Sequence, residues 1–155
     1  MKKHFLLIVL TISMFAGAPF AAQADGLDDI AGKWSTSKTN NEGNAFKQII
    51  DFKKDKFVFR IMGADDKAVF YAEGKIKLDK TGDLLVIKFT DIQYGKSKEE
   101  LQAADEERTD IYALRDGKLI LASNFDKERD GQPPGLDTYE KVAEKSPDAS
   151  KEKAK

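Results

Sequence analysis

The sequence predicts an all-β fold, built as an antiparallel sandwich or barrel. Short runs of alternating apolar and polar residues recur along most of the chain, and a period of two is typical of strands with two unlike faces. Turn residues, mainly Gly, Asp, Asn and Lys, separate these runs at fairly even spacing. No long segment shows the 3.6-residue period of an amphipathic helix. Regular short strands of this kind indicate an antiparallel architecture.

Eight strands are predicted in chain order. They cover residues 32–37, 45–52, 57–62, 69–78, 84–94, 109–114, 118–125 and 136–143. The fourth strand alternates most clearly, because apolar or small residues occupy every even position from Phe70 to Leu78. Asp116 and Gly117 join the sixth and seventh strands. Asp-Gly between two alternating runs predicts a type I′ hairpin turn, which requires positive φ at both central positions.

Two stretches depart from the strand pattern. Ser97 and Glu100 have the spacing of a capping box, and the apolar residues after them continue a helical pattern to Glu107. We therefore predict a short helix between the fifth and sixth strands. Residues 146–155 contain only Lys, Glu, Ala, Ser, Asp and Pro. A segment of this composition buries too little apolar surface to order itself, so we expect a disordered charged tail.

The first 24 residues have the three-part pattern of a secretory signal peptide. Lys2 and Lys3 give a positive start, residues 5–15 are largely apolar, and Ala22-Gln23-Ala24 is an A-x-A cleavage site. The apolar stretch is shorter than the roughly 20 residues that span a bilayer. We expect export to the periplasm or beyond the cell, no stable membrane insertion, and one domain over residues 25–145.

Composition excludes several classes of function. The chain has 155 residues, with 26 Lys and Arg against 27 Asp and Glu, one His and no Cys. Since His4 lies in the predicted signal peptide, the exported chain lacks the residues for disulfides, Cys/His zinc sites, haem ligation by His and His-dependent nucleophilic catalysis. A net charge of −1 argues against nucleic-acid binding, which needs a basic surface. We expect a monomer that is not an enzyme and holds no metal or cofactor.

A short motif at the start of the predicted domain indicates a family. Ile30-Ala31-Gly32-Lys33-Trp34 contains a G-x-W sequence, and Asp116-Gly117-Lys118-Leu119 follows later as a hairpin. Over most of residues 27–143, the chain resembles small exported bacterial lipocalin-like domains of the calycin group. The resemblance implies an eight-stranded up-and-down barrel. It also implies structural roles for Gly32 and for Trp34, which would close the barrel's base against a basic side chain, here Lys141.

The aromatic residues on the predicted inward faces have two interpretations. These residues are Phe57, Phe59, Phe70, Phe89, Tyr112 and Phe125. They form a packed core, in which each buried ring stabilises the fold by about 1.5–3 kcal/mol, or they line a cavity for one small ligand. An eight-stranded barrel allows either outcome. Ala72 and Gly74 favour the cavity, since small side chains leave volume open.

From the second interpretation, we predict that a small, mostly apolar molecule binds in the barrel or at its mouth. The predicted apolar contacts are Phe59, Phe70, Ala72, Ile87, Phe89 and Leu121, with Gln48 and Tyr112 as polar contacts. The alternative is a protein-interaction module. Some exported bacterial barrels inhibit proteases by inserting the amino-terminal segment into the enzyme, and residues 25–30 would be that segment.

Overall fold

The chain folds into a closed antiparallel barrel of eight strands, to which a ninth, very short strand is added. The computed structural model describes residues 26–129, 131 and 133–143; the predicted signal peptide and the predicted tail lie outside the described residues. The elements of the described part are α1 (Leu27–Ile30), β1 (Gly32–Thr39), β2 (Ala45–Lys53), β3 (Lys56–Met62), β4 (Ala68–Thr81), β5 (Leu84–Gly95), β6 (Gln102–Ala103), β7 (Arg108–Arg115), β8 (Lys118–Ser123) and β9 (Gly135–Lys141).

Each barrel strand pairs with its neighbours in sequence, apart from the two-residue β6. The order around the barrel is β1-β2-β3-β4-β5-β7-β8-β9, and β9 closes the cylinder on β1 with Trp34 opposite Lys141. The short β6 pairs only with the last part of β5. The predicted all-β class and the up-and-down, eight-stranded barrel are confirmed, and the eight predicted strands correspond to β1–β5 and β7–β9.

The two ends of the barrel differ in their connections. We call one end of the barrel the closed end. There, two-residue turns join β2 to β3, β4 to β5 and β7 to β8, and α1 leads into the start of β1. The β7–β8 turn has φ of 52° at Asp116 and 71° at Gly117, as a type I′ turn requires. Longer connections lie at the other end, the open end. The most deeply buried side chains are Ile30, Trp34, Phe52, Ile87 and Leu119.

The predicted helix between the fifth and sixth strands is wrong. In its place the backbone makes one turn, in which the Glu100 N–H donates to the Ser97 carbonyl oxygen at 3.3 Å, and then adds β6 to β5. Strand pairing prevails because one or two isolated helical turns are too short to be stable. The short helix is α1, near the start of the domain, where four residues are too few to show a period.

Two predictions about the interior are also wrong. Phe125 lies beyond the end of β8 and is 43 % exposed, so it does not belong to the inward set. Gly74 does not leave space open, because a Cβ atom there would lie 2.7 Å from the Thr90 carbonyl oxygen and 2.9 Å from Cε1 of Phe57. The close approach arises at a bulge in β5, where Asp91 has a φ of 51°.

Candidate functional site

Five of the predicted ligand contacts lie in the packed core. Ala72, Ile87, Phe89, Tyr112 and Leu121 are each between 0 and 7 % exposed. They belong to one continuous cluster of buried side chains that fills the middle of the barrel. In the middle of the barrel, the interior therefore matches the first interpretation of the aromatic residues, a packed core stabilised by apolar burial.

The remaining predicted contacts, Gln48, Phe59 and Phe70, lie toward the open end and are half-buried. The Phe70 ring lies between two others: its centroid is 6.2 Å from that of Phe59, edge to face, and 6.2 Å from that of Tyr94, stacked. Both arrangements are favourable for aromatic pairs. We call Phe59, Phe70 and Tyr94, on β3, β4 and β5, the aromatic wall. All three rings pack on the core from one side and remain partly exposed on the other.

Polar side chains occupy the rest of the inner surface toward the open end. We call this set the polar wall, and it consists of Lys38, Gln48, Asp110, Ser123, Asp137 and Tyr139. Each shares the face of its strand with a buried core residue, as Asp110 does with Tyr112 and Ser123 with Leu121. Strands β8, β9 and β1 lie four places from β3, β4 and β5 in the strand order, so the part of the polar wall on these strands faces the aromatic wall. Gln48 on β2 and Asp110 on β7 lie instead on the strands next to β3 and β5.

Hydrogen bonds and one ion pair connect the polar wall internally. The Ser123 hydroxyl donates to Oδ2 of Asp110 at 2.8 Å, and the Tyr139 hydroxyl donates to Oε1 of Gln48 at 3.0 Å. Lys38 Nζ lies 2.6 Å from the Asp137 carboxylate. These contacts satisfy polar groups that would otherwise be costly to bury.

Burial changes the proton affinity of two members of the polar wall. Loss of hydration raises the pKa of Asp110 to about 6, although the Ser123 hydroxyl and the guanidinium groups of Arg108 and Arg129 act in the opposite direction. Burial also raises the pKa of Tyr139, and the nearby carboxylates of Asp137 and Asp110 raise it further. The polar wall therefore contains a half-buried carboxylate that is ionised at neutral pH but has lost part of its hydration.

A cluster of charges, which we call the clamp, connects two loops at the open end. Both terminal nitrogens of Arg129 donate to Asp126, at 2.5 and 2.7 Å, and Nε donates to Glu106 at 2.9 Å. Lys127 also pairs with Glu106. The Arg129 side chain is only 7 % exposed. The bidentate pair, a strong arrangement, lowers the pKa of Asp126 to about 2.

At the closed end, the structure brings together the residues predicted to have structural roles. Lys141 Nζ lies 5.2 Å from the centre of the Trp34 ring, within the range of a cation–π contact. Gly32 has a φ of 106° between α1 and Trp34. Ile30, the last residue of the segment proposed to enter a protease, has no exposed surface. Insertion of that segment would first require Ile30 to leave the core, so this geometry offers the alternative no support.

Two open clefts lie away from both walls. One, of about 310 Å³, lies beside the β4–β5 turn and is lined by Leu78, Asp79, Lys80, Leu85 and Tyr112. The other, of about 630 Å³, lies at the edge between β1 and the end of β9 and is lined by Ala31, Gly32, Lys33, Lys141, Val142 and Ala143. Of the predicted ligand contacts, Tyr112 borders one of these two clefts, from a buried position.

Sequence reasoning missed most of the polar wall and one ring of the aromatic wall. Asp110, Ser123 and Asp137 occur in phase with inward apolar residues of their strands, which is a usable signal for polar groups inside a barrel. Tyr94 has no such signal. The bulge at Asp91 shifts the inward positions of β5 from odd to even numbers, so that Tyr94 faces inward.

Among the residues that the structure describes, no three His, Cys, Asp or Glu side chains come together as metal ligands. Over the same residues, no helix has the length and apolar character needed to cross a membrane. Comparison with protein-family models, curated proteins and solved structures finds no match to this chain. The class of the protein is therefore defined by its geometry: a small eight-stranded barrel with a packed middle and, toward its open end, an aromatic wall and a polar wall.

Proposed function

We propose that this protein is a non-catalytic binding protein that holds a small, mostly apolar molecule at the open end of its barrel, against the aromatic wall. One observation carries the proposal. In the closed half of the interior, Trp34, Phe52 and Phe57 are at most 5 % exposed, whereas Phe59, Phe70 and Tyr94 stay half-buried on the inner surface. An apolar ligand would remove this surface from water, at about 25 cal/mol per Å² of apolar area.

Barrel size and sequence resemblance support the same proposal. An eight-stranded barrel is either filled by side chains or holds one small ligand. Because the middle of this barrel is packed, we propose the open end for the ligand. The resemblance of the G-x-W region, Gly32 to Trp34, to lipocalin-like domains is consistent with a barrel that is closed at one end. We also propose that residues 1–24 direct export, which amino-terminal sequencing of the protein from the cell envelope would test, with Asp25 as the expected first residue.

A neutral fluorescent probe, N-phenyl-1-naphthylamine, tests the binding site. Its emission should rise saturably with the unaltered chain. Phe70→Gln keeps most of the side-chain length but removes the aromatic surface, so the probe's affinity should fall about tenfold, equivalent to about 1.4 kcal/mol. Val69→Thr is the matched control, because Val69 precedes Phe70 on β4 and is 56 % exposed on the opposite face. No saturable signal, or equal affinities for the two variants, would contradict the proposal.

Native mass spectrometry of the protein purified from its own host tests for the natural ligand. We expect a bound small molecule on the unaltered chain, a reduced occupancy on Phe70→Gln, and full occupancy on Val69→Thr. A bound mass that is unaffected by Phe70→Gln would place the ligand elsewhere on the protein.

A further inference from the structure

We infer that the molecule held by the aromatic wall carries a basic group, a protonated amine, and that the carboxylate of Asp110 is its ion-pair partner. This inference rests on the proposed function and specifies its ligand: a compact amphipathic cation with an aromatic or aliphatic body. The body would contact Phe59, Phe70 and Tyr94, and the ammonium group would contact Asp110 on β7, the strand next to β5.

The position of Asp110 is the first step of the argument. Its side chain shares the inner face of β7 with Tyr112, and the residue opposite it on β5 is the fully buried Ile87. Ser123, from β8, donates one hydrogen bond at 2.8 Å to Oδ2. A carboxylate has about four acceptor sites, and a charge kept in a poorly solvated interior is expensive unless a partner compensates it. An ammonium group with three donors suits this site.

The charges around Asp110 are the second step. On the polar wall, the ammonium group of Lys38 is engaged with Asp137, so these two charges balance and Asp110 leaves the wall negative. Tyr139, beside Asp137 on β9, stays neutral because its pKa is raised. A negative wall inside a low-dielectric barrel attracts a cation and repels an anion.

The positive charges near Asp110 come from Arg108 and Arg129. The guanidinium group of Arg129 is held by Asp126 and Glu106, so the clamp contributes little net charge. Arg108, on the same strand, lowers the pKa of Asp110 and so helps keep the carboxylate ionised. With a pKa of about 6, Asp110 carries its charge at neutral pH and loses it in mild acid.

The aromatic wall is the third step. The faces of aromatic rings carry a negative quadrupole, so they attract a cation more strongly than a neutral ligand of the same shape. Phe70 is stacked on Tyr94 and meets Phe59 edge to face, and all three side chains stay half-buried, so part of the ring surface is open to a ligand. Both walls therefore select against a negatively charged ligand.

Three probes with the same ring test the charge preference: 1-naphthylmethylamine, 1-naphthalenemethanol and 1-naphthoate, which are cationic, neutral and anionic at pH 7.4. Isothermal titration calorimetry with the unaltered chain should give the tightest binding for the amine and the weakest for the carboxylate. Asp110→Asn, which keeps the shape and removes the charge, should weaken the amine about tenfold and change the alcohol less than about twofold. Asp116→Asn is the matched control, because it removes the same charge from the exposed turn at the closed end.

A pH titration of the unaltered chain tests the same inference without a variant. Between pH 7.4 and 5, the affinity for the amine should fall as Asp110 is protonated, while the affinity for the alcohol stays constant. If none of the three probes binds, the proposed function is overturned. If the alcohol binds and the amine binds no tighter, or if Asp110→Asn and mild acid leave the amine unaffected, this inference is overturned and the proposed function stands.

Discussion

The indole Nε1 of Trp34 donates a 2.7 Å hydrogen bond to the backbone carbonyl oxygen of Ile30. This bond ties α1 to the first strand of the barrel, and the ammonium group of Lys141 lies near the same ring from the last strand. One side chain thus connects the segment before the barrel with both strands that close it. The contacts of this buried side chain therefore hold the closed end of the barrel together.

Trp34→Phe should lower the free energy of unfolding by about 2 kcal/mol, because the buried carbonyl oxygen of Ile30 loses its donor. Urea unfolding followed by far-ultraviolet circular dichroism measures this change. Lys141→Met is the comparison variant and should cost no more than about 1 kcal/mol, since Lys141 is exposed and loses only a cation–π contact. Equal losses for the two variants would contradict the role given to the hydrogen bond.

Gly74→Ala should destabilise the barrel by about 2–3 kcal/mol, because the added methyl group would overlap the Thr90 carbonyl oxygen and the Phe57 ring. Gly135→Ala is the matched control. It also lies in a strand, but the nearest atom to its Cβ would be 4.0 Å away, so we expect a change within about 0.5 kcal/mol. Thermal and urea unfolding of both variants distinguish them, and an equally stable Gly74→Ala would contradict the close approach at the bulge.

We compare the free energy of unfolding of the unaltered chain with that of an Asp110→Asn variant. The unaltered chain should gain stability relative to the variant when the pH falls from 7 to 4. Its folded-state pKa of about 6 exceeds the ordinary value of 3.8, so the folded state binds the proton more tightly than the unfolded state. The penalty for burying the charge is complete above pH 6, decreases as pH falls, and is absent below about pH 4. We expect a difference of about 2 kcal/mol, allowing for partial solvation.

Urea unfolding of both proteins at several pH values measures this difference. Subtracting the variant removes the contributions of the other carboxylates, including Asp126, whose lowered pKa has the opposite effect at lower pH. A pH-independent difference between the two proteins would show that Asp110 is solvated in the folded state.

Arg129→Met should loosen the connection between β8 and β9. The substitution removes the bidentate bond to Asp126 and the bond to Glu106, so the loop should open more often. Thermolysin cleavage beside the exposed Phe125 should accelerate on the order of tenfold, because cleavage follows the population of the opened loop. Lys127→Met is the control, since it removes only a more exposed pair with Glu106. Similar cleavage rates for Arg129→Met and the unaltered chain would contradict the clamp.

Much of the fold was predictable because each strand carries its own signal. Alternation within residues 69–78 depends only on neighbouring residues, and Asp116-Gly117 selects its turn through its own φ angles. The same alternation predicted that Ile87 and Leu121 point inward, and both are buried. The helix predicted over residues 97–107 was wrong because pairing with β5, which lies outside that segment, outweighed the local capping pattern.

By itself, the sequence determined the eight strands, their turns and the inward phase of most side chains, since a two-residue period is a property of adjacent positions. Only the tertiary structure decided which inward residues meet. The pairing of Asp110 with Ser123 depends on the register of β7 against β8, and the inward position of Tyr94 depends on the bulge at Asp91. Register, bulges and closure arise from contacts between distant segments, so the division of the interior into an aromatic and a polar wall appears only once the barrel is closed.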